Sequence, residues 1–260
     1  MQVYDEIGKG YDVTRQSDPY LTGRIAEHLQ IKQDGQYLDL ACGTGNYTTA
    51  LASEYGGRWT GLDVSTRMIE EAKKKTESIN WMIGDCAALP LPDCNFSGVL
   101  CSLAIHHFAS LSKAFQEAFR VMQPGRFVIF TATPEQMQHY WLCEYFPKAM
   151  HASILQMPAL SSVTEALRDA GFELLITEHY EIKDNLKDLF LYSGKSNPSM
   201  YLDPSVRAGI STFAKLADND EIQTGCKRLA EDIESGKISL IQSRFEHSDG
   251  DYLFVVAEKR

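Results

Sequence analysis

Gln36 to Tyr47 reads QYLDLACGTGNY, and the rest of the chain is organised around it. Tyr37, Leu38 and Leu40 open it as a buried strand with Asp39 set among them. The run breaks at Gly43-Thr44-Gly45, and from Asn46 onward Tyr47, Ala50, Leu51 and Tyr55 recur at helical spacing. A strand, a tight glycine turn and a helix begin a nucleotide-binding α/β unit. Glycine lets the backbone approach a ligand where a Cβ would collide. The helix that follows points free N–H groups at the same place. A glycine-bearing turn is weak evidence alone; later residues at matching distances give it weight.

Downstream, Gly56-Gly57 caps the first helix and RWTGLD (58–63) is a second strand. Asp63 stands 18 residues after Gly45, close to the roughly 20-residue spacing at which an acidic strand end reaches a ribose. A carboxylate accepts hydrogen bonds from both vicinal hydroxyls, so the chemistry asks for Asp or Glu there. Ser65 N-caps a helix with Met68, Ile69 and Ala72 inside, and Lys73, Lys74 and Lys75 read as its solvated face. A third strand, 81–85, places Asp85 and Cys86 at the crevice edge, with Asp85 able to accept from an adenine amine. The fourth strand starts at Phe96 and brings Ser102 to its end, followed by His106 and His107. Adjacent histidines seldom converge on one metal, and no carboxylate is spaced to complete a site. A general base is the sharper alternative, against loop histidines that only orient the backbone. Leu111 to Met122 is helical, Gln123-Pro124-Gly125 stops it, and 126–133 is a fifth strand. The alternation gives a right-handed, doubly wound parallel sheet.

The flanks read as additions to this core. Tyr4, Ile7 and Tyr11 share a helical face, and Asp18-Pro19 starts a second helix with Leu21, Ile25 and Leu29 inward. Residues 136–157 are rich in aromatics and methionine and would wall an apolar pocket or pack as a plain cap. Ser162 and Glu165 read as a capping box, and 173–182 as the sixth strand. Residues 183–236 leave the β-α rhythm. They hold one helix from Asp203-Pro204 with Val206, Ile210 and Phe213 on a face, and another with Ile222, Cys226, Leu229 and Ile233. YLFVVA (252–257) is the last strand, inserted antiparallel beside the fifth. One domain, 1–260, is expected: a helical lid (1–30), a cofactor-binding core (31–134), cap insertions (135–157 and 183–236) and C-terminal strands (237–260).

Composition excludes other classes. A net charge of −10 argues against duplex nucleic acid or an anionic membrane as the main partner. The six cysteines lack CxxC spacing, as expected of reduced thiols in a cytoplasmic protein. No signal-peptide core or membrane-length apolar run is visible.

DLACGTG (39–45), the GLDVS around Asp63, the GDC around Asp85, SLAIHHF (102–108) and the Gln123-Pro124-Gly125 turn together resemble the motifs of class I S-adenosylmethionine-dependent methyltransferases, of the small-molecule, methyltransferase type 11-like kind. The resemblance covers about residues 35–135 and, loosely, the last strand. It implies a Rossmann-like seven-stranded sheet with the last strand antiparallel. It implies Asp39, Ala41, Gly43 and Gly45 around the methionine part of S-adenosylmethionine and Asp63 on its ribose. Met68, Asp85 and Cys86 would hold adenine, and the Ser102 carbonyl the amino group. Ala41 departs from the more usual glycine. Tyr4 and Tyr11 resemble N-terminal tyrosines that close over cofactor and substrate, and His106 matches a histidine that assists transfer in some relatives. S-adenosylhomocysteine would be the product and a small apolar or aromatic molecule the acceptor at O, N or C, in a monomer or homodimer without metal. Two other readings compete: a nicotinamide-dependent oxidoreductase, whose GxGxxG wants glycine where Thr48 stands, and a non-catalytic S-adenosylmethionine-binding protein.

Overall fold

The computed structural model describes residues 11–260. Tyr4, Ile7 and the side chain of Tyr11 lie outside the described residues. Two N-terminal helices, α1 (Tyr11–Thr14) and α2 (Pro19–Leu29), precede β1 (Gln36–Leu40). Asp18 caps α2 by accepting from the Leu21 N–H at 3.0 Å. Then come α3 (Asn46–Tyr55), β2 (Arg58–Asp63), α4 (Thr66–Lys75), β3 (Asn80–Ile83), β4 (Phe96–Ser102), α5 (Leu111–Val121) and β5 (Met122–Thr131). The order β3-β2-β1-β4-β5-β7-β6 makes a seven-stranded sheet. β7 (Tyr252–Lys259) runs antiparallel to both β5 and β6 (Glu173–Tyr180), while β1 to β5 pair in parallel. The strand order reverses between β1 and β4, and ligands bind at such a switch point, outside the strands' carboxyl ends.

Strand residues alternate between two apolar layers. Val128, Phe130, Phe254 and Val256 join Leu21, Ile25, Leu51 and Ile69 on one face. Phe127, Ile129, Leu253 and Val255 join Phe115, Ala118, Val163 and Leu167 on the other. With both faces covered, the central strands read as unbroken apolar runs rather than alternating ones.

Above the carboxyl ends sits a cap. It is built from α6 (Pro134–Gln138), α7 (Leu142–Tyr145), α8 (Pro147–Gln156) and, after α9 (Leu160–Ala170) and β6, from residues 183–236. That second part holds a 3-10 turn (Pro198–Leu202), α10 (Pro204–Ala208), a π-helical turn (Thr212–Leu216) and α11 (Asn219–Glu234). Tyr140, Trp141, Tyr145, Phe146 and Met150 are buried together inside the cap. The two parts are tied by α11: Glu221 accepts from the Lys148 N–H at 2.7 Å, satisfying the start of α8. No helix among the described residues is long and apolar enough to cross a membrane.

Several local expectations are corrected. Gln123-Pro124-Gly125 is not a turn but the irregular start of β5: pairing shifts between Phe96↔Met122 and Gly98↔Arg126. A Cβ on Gly125 would lie 2.1 Å from the Ser97 carbonyl oxygen, so the close approach of β4 demands glycine. β3 ends at Ile83, leaving Asp85 in the turn beyond it. Helix α9 starts at Leu160 with Ala159 at its cap and no side-chain bond, so Ser162 and Glu165 are not a capping box. The capping box is Thr133/Gln136, opening α6. The helix expected from Asp203 stops at Ala208 and resumes as the π turn. On α11 the expected Leu229 is buried and Cys226 and Ile233 pack against the core, but the most buried positions beside Leu229 are Glu221, Gly225 and Asp232, so the face is turned towards carboxylates on one side. β6 ends at Tyr180, and residues 237–260 hold a helix, α12 (Ile238–Arg244), and one strand.

Candidate active site

The turn after β1 is set by three left-handed residues: Ala41 (φ 56°), Gly43 (φ 57°) and Gly45 (φ 73°). Their roles differ. A Cβ on Gly43 would meet nothing within 4 Å, so this glycine leaves open space. A Cβ on Gly45 would meet the Trp81 ring at 2.2 Å. Gly45 is therefore required by packing, and it does not line the cavity described next. Ala41 carries the strain that a side chain pays in this region, which accounts for glycine being usual there.

A cavity of about 380 Å³ opens at these strand ends. Asp39, Ala41, Gly43, Asp63, Met68, Asp85, Cys86, Ser102 and His106 all line it, so the structure brings these expected residues together. Of the others, Gly45 packs against the Trp81 ring and the Tyr11 side chain lies outside the described residues. Asp63 is clamped from two sides, accepting from the Gly43 N–H (2.9 Å) and the Ser65 N–H (2.9 Å). Burial raises its pKa against those bonds. Asp39 accepts from the Thr48 hydroxyl at 2.5 Å. Burial, with the Asp63 charge adding, pushes its carboxyl up to about 7. Thr48, which breaks the dinucleotide pattern, thus holds an acid of this cavity. Asp85 accepts from the Ala87 N–H at 2.9 Å and is exposed. Burial pushes the Cys86 thiol up to about 12, so it packs as a neutral group.

The histidines follow β4 on a 3-10 turn (Ile105–His107), their rings 3.8 Å apart. Desolvation, then the Lys215 charge, brings His106 down to about 4. His107 opens onto the cavity but is ringed by protein, and it falls to about 3 through burial, His106 and Lys215. Both rings are neutral at physiological pH. His106 Nδ1 and Ser102 Oγ are buried without a partner. Among the described residues no three His, Cys, Asp or Glu side chains converge as metal ligands.

Other lining residues had no signal in the sequence. Arg15 meets Asp188, 173 positions away, through Nε at 2.6 Å, and the Tyr47 hydroxyl donates to the same carboxylate at 3.1 Å. The Leu189 N–H donates to the Thr14 carbonyl and the Lys187 N–H to Asp18. These bonds fasten the N-terminal segment to the second cap insertion beside the cavity. Lys75 is not a solvated lysine: it reaches Asp12 (2.9 Å), Thr44 (3.0 Å) and Asn46, bracing the glycine turn. Met137, Met157, Phe190, Leu191 and Ile210 give the cap side of the cavity an apolar wall. Of the aromatic-rich 136–157 stretch, only Met137, Ser153 and Met157 reach that wall.

A glycine turn, acidic groups at successive strand ends and a crevice at the switch point define a Rossmann-like site for a nucleoside-bearing cofactor. The comparisons narrow the class. The model of the methyltransferase domain family matches residues 38–130. A crystal structure from Anabaena variabilis ATCC 29413, assigned as a methyltransferase of an antibiotic biosynthesis pathway, superposes with a TM-score of 0.85. It is 30% identical over 95% of this chain and 99% of that one. The 2-phytyl-1,4-naphtoquinone methyltransferase of Thermosynechococcus vestitus is 29% identical, over 61% of this chain and 80% of that protein. The demethylmenaquinone methyltransferase of Staphylococcus aureus strain JH9 is 29% identical, over 52% of this chain, and the match spans 60% of its own length. The chain belongs to the class I S-adenosylmethionine-dependent methyltransferases, the enzymes of small-molecule methyl transfer among them.

Proposed function

We propose that the cavity binds S-adenosylmethionine on its strand side and an uncharged, apolar, ring-bearing acceptor on its cap side. The observation that carries this reading is the continuity of the two halves: clamped acids and an open glycine lead without a break into a methionine-rich wall. The residues fit the cofactor. Gly43 leaves room where a Cβ would intrude. Asp63, held by two backbone N–H groups, retains lone pairs for both ribose hydroxyls. Asp85 has one oxygen left for the adenine amine, with Met68 and Cys86 flanking the base. Asp39, Ala41 and the Ser102 carbonyl face the methionine end, where an ionised carboxylate complements a cation.

The cofactor supplies a methyl group already activated on a sulfonium, so the protein contributes binding, orientation and a dry site. His106 is suited to accept a hydrogen bond from the acceptor. Moving a phenolic proton (pKa of about 10) onto an imidazole held near 4 costs about 8 kcal/mol. An imidazole so hard to protonate is suited to accepting a hydrogen bond from the acceptor rather than a whole proton. Two relatives are named for quinone-type substrates, and a reduced quinone ring combines a methylatable atom with an apolar body that suits the methionine wall.

Incubation of the purified protein with methyl-tritiated S-adenosylmethionine and demethylmenaquinol tests the reading. Label in the organic phase, absent without acceptor, is the expected result. No transfer to demethylmenaquinol, with label passing instead to a charged, polar metabolite of a cell extract, would refute the apolar acceptor.

A further inference from the structure

The apolar cap wall carries one polar feature. Ser153 of α8 and Thr212, first residue of the π turn, meet Oγ to Oγ1 at 2.9 Å. Both line the cavity, and they are 8% and 2% exposed. Two hydroxyls hold two protons, and one closes the bond between them. Whichever hydroxyl donates, the other keeps a proton with no protein acceptor among the described residues. A buried donor left unpaired costs about 1–3 kcal/mol. The backbone that presents Thr212 is itself unusual. Its carbonyl accepts from the Ala217 N–H in an i→i+5 turn, and such π segments concentrate at functional sites.

The charges on the cavity wall restrict what can use this donor. Asp39, Asp63, Asp85 and Asp188 line it against a single guanidinium, Arg15, which Asp188 already engages. The histidine rings are neutral. An anionic acceptor would find carboxylates and no uncommitted cation among the described lining residues.

We propose that Ser153 and Thr212 form an oxygen-recognising subsite for the acceptor. The acceptor is then an uncharged, largely apolar ring molecule that bears, besides the atom methylated, a second oxygen able to accept a hydrogen bond. This rests on the cavity being the methyltransferase site. The subsite sets specificity: an analogue lacking the second oxygen leaves the hydroxyl proton unpaired, and sites built around such a bond reject such analogues.

The test uses 1-naphthol and 1,5-dihydroxynaphthalene, which differ by one oxygen, in calorimetric titrations of protein saturated with S-adenosylhomocysteine. Wild type is expected to bind the dihydroxy compound about tenfold more tightly, as one hydrogen bond and one avoided unpaired donor require. The double variant Ser153→Ala/Thr212→Val, which removes both protons, reduces that preference to below about twofold, whereas either single variant keeps it through the remaining hydroxyl and Thr212→Ser leaves it intact. Equal binding of the two compounds by wild type overturns the proposal. So does a preference that survives both substitutions while melting temperature falls, the mark of a merely structural pair. Binding of neither compound by protein that holds S-adenosylhomocysteine also overturns it. Failure to hold S-adenosylhomocysteine at all refutes instead the cofactor reading beneath it.

Discussion

A cofactor cation placed beside Asp39, as proposed, would make binding pH-dependent with a definite sign and size. The Asp39 carboxyl is buried against Thr48 near Asp63 and titrates at about 7 in the free protein. A cationic ligand beside it favours the ionised form, so binding lowers the pKa and expels the proton. At pH 6 a group of pKa 7 is about 0.9 protonated, and at pH 8 about 0.1. With its pKa in the complex lowered by about 3 units, Asp39 should release about 0.9 proton per S-adenosylmethionine bound at pH 6 and about 0.1 at pH 8. The sign follows: affinity rises with pH, by about tenfold or 1.4 kcal/mol from pH 6 to pH 8. Calorimetry in buffers of different ionisation enthalpy counts the protons. The cofactor's own amine, with a pKa of about 7.7–8.0, titrates in the same window, so the comparison is with Asp39→Asn. That variant keeps an acceptor for Thr48, and its proton count should fall short of wild type by the stated amounts. Identical counts in the two proteins would refute the placing of a cofactor cation beside Asp39.

Other substitutions separate the roles proposed above. Asp63→Ala should weaken S-adenosylhomocysteine binding tenfold or more, since hydrogen bonds to a charged group contribute about 1.5–3 kcal/mol; unchanged affinity would remove Asp63 from the ribose site. His106→Ala should lower turnover by about tenfold or more with cofactor affinity intact. In wild type no kinetic pKa between 5.5 and 8 should trace to a ring held near 4, and one that disappears in the variant would contradict the assignment. Asp188→Ala removes the carboxylate that Arg15 shares with the Tyr47 hydroxyl and leaves that buried hydroxyl without its acceptor, so denaturant unfolding should show a loss of about 3 kcal/mol; a loss below 1 would deny the latch. Ala41→Gly relieves a left-handed alanine and should stabilise by about 0.5–1 kcal/mol, after the added unfolded-state entropy is subtracted.

The strand-end side of the cavity was legible because its signals are local. The break from Leu40 to Gly43, the aspartate closing β2 and the Ser65 cap each announce themselves within a few residues. β7 was legible as a buried run, and its antiparallel place beside β5 stands in the structure. Elsewhere tertiary contact overrides local chemistry. Gln123-Pro124-Gly125 has turn composition, yet the approach of Ser97 draws it into β5. Gly45 looked like a ligand-facing glycine and instead makes room for Trp81. The cap side of the cavity was hidden because its partners are far apart in sequence. Arg15 with Asp188 and Ser153 with Thr212 meet only once the cap has folded over the sheet. One cap signal was available: Thr133-Pro134-Glu135-Gln136 is a capping box that places α6 directly after β5. Nothing comparable marks the π turn, because the wider hydrogen-bond ring leaves no simple periodicity in side chains.

The most direct measurement is a calorimetric titration of the purified protein with S-adenosylmethionine, S-adenosylhomocysteine and NADH in turn. Micromolar binding of the first two, one per chain, and none of the third is the expected result. Binding of NADH, with indifference to both sulfur nucleosides, would contradict the cofactor reading at its centre.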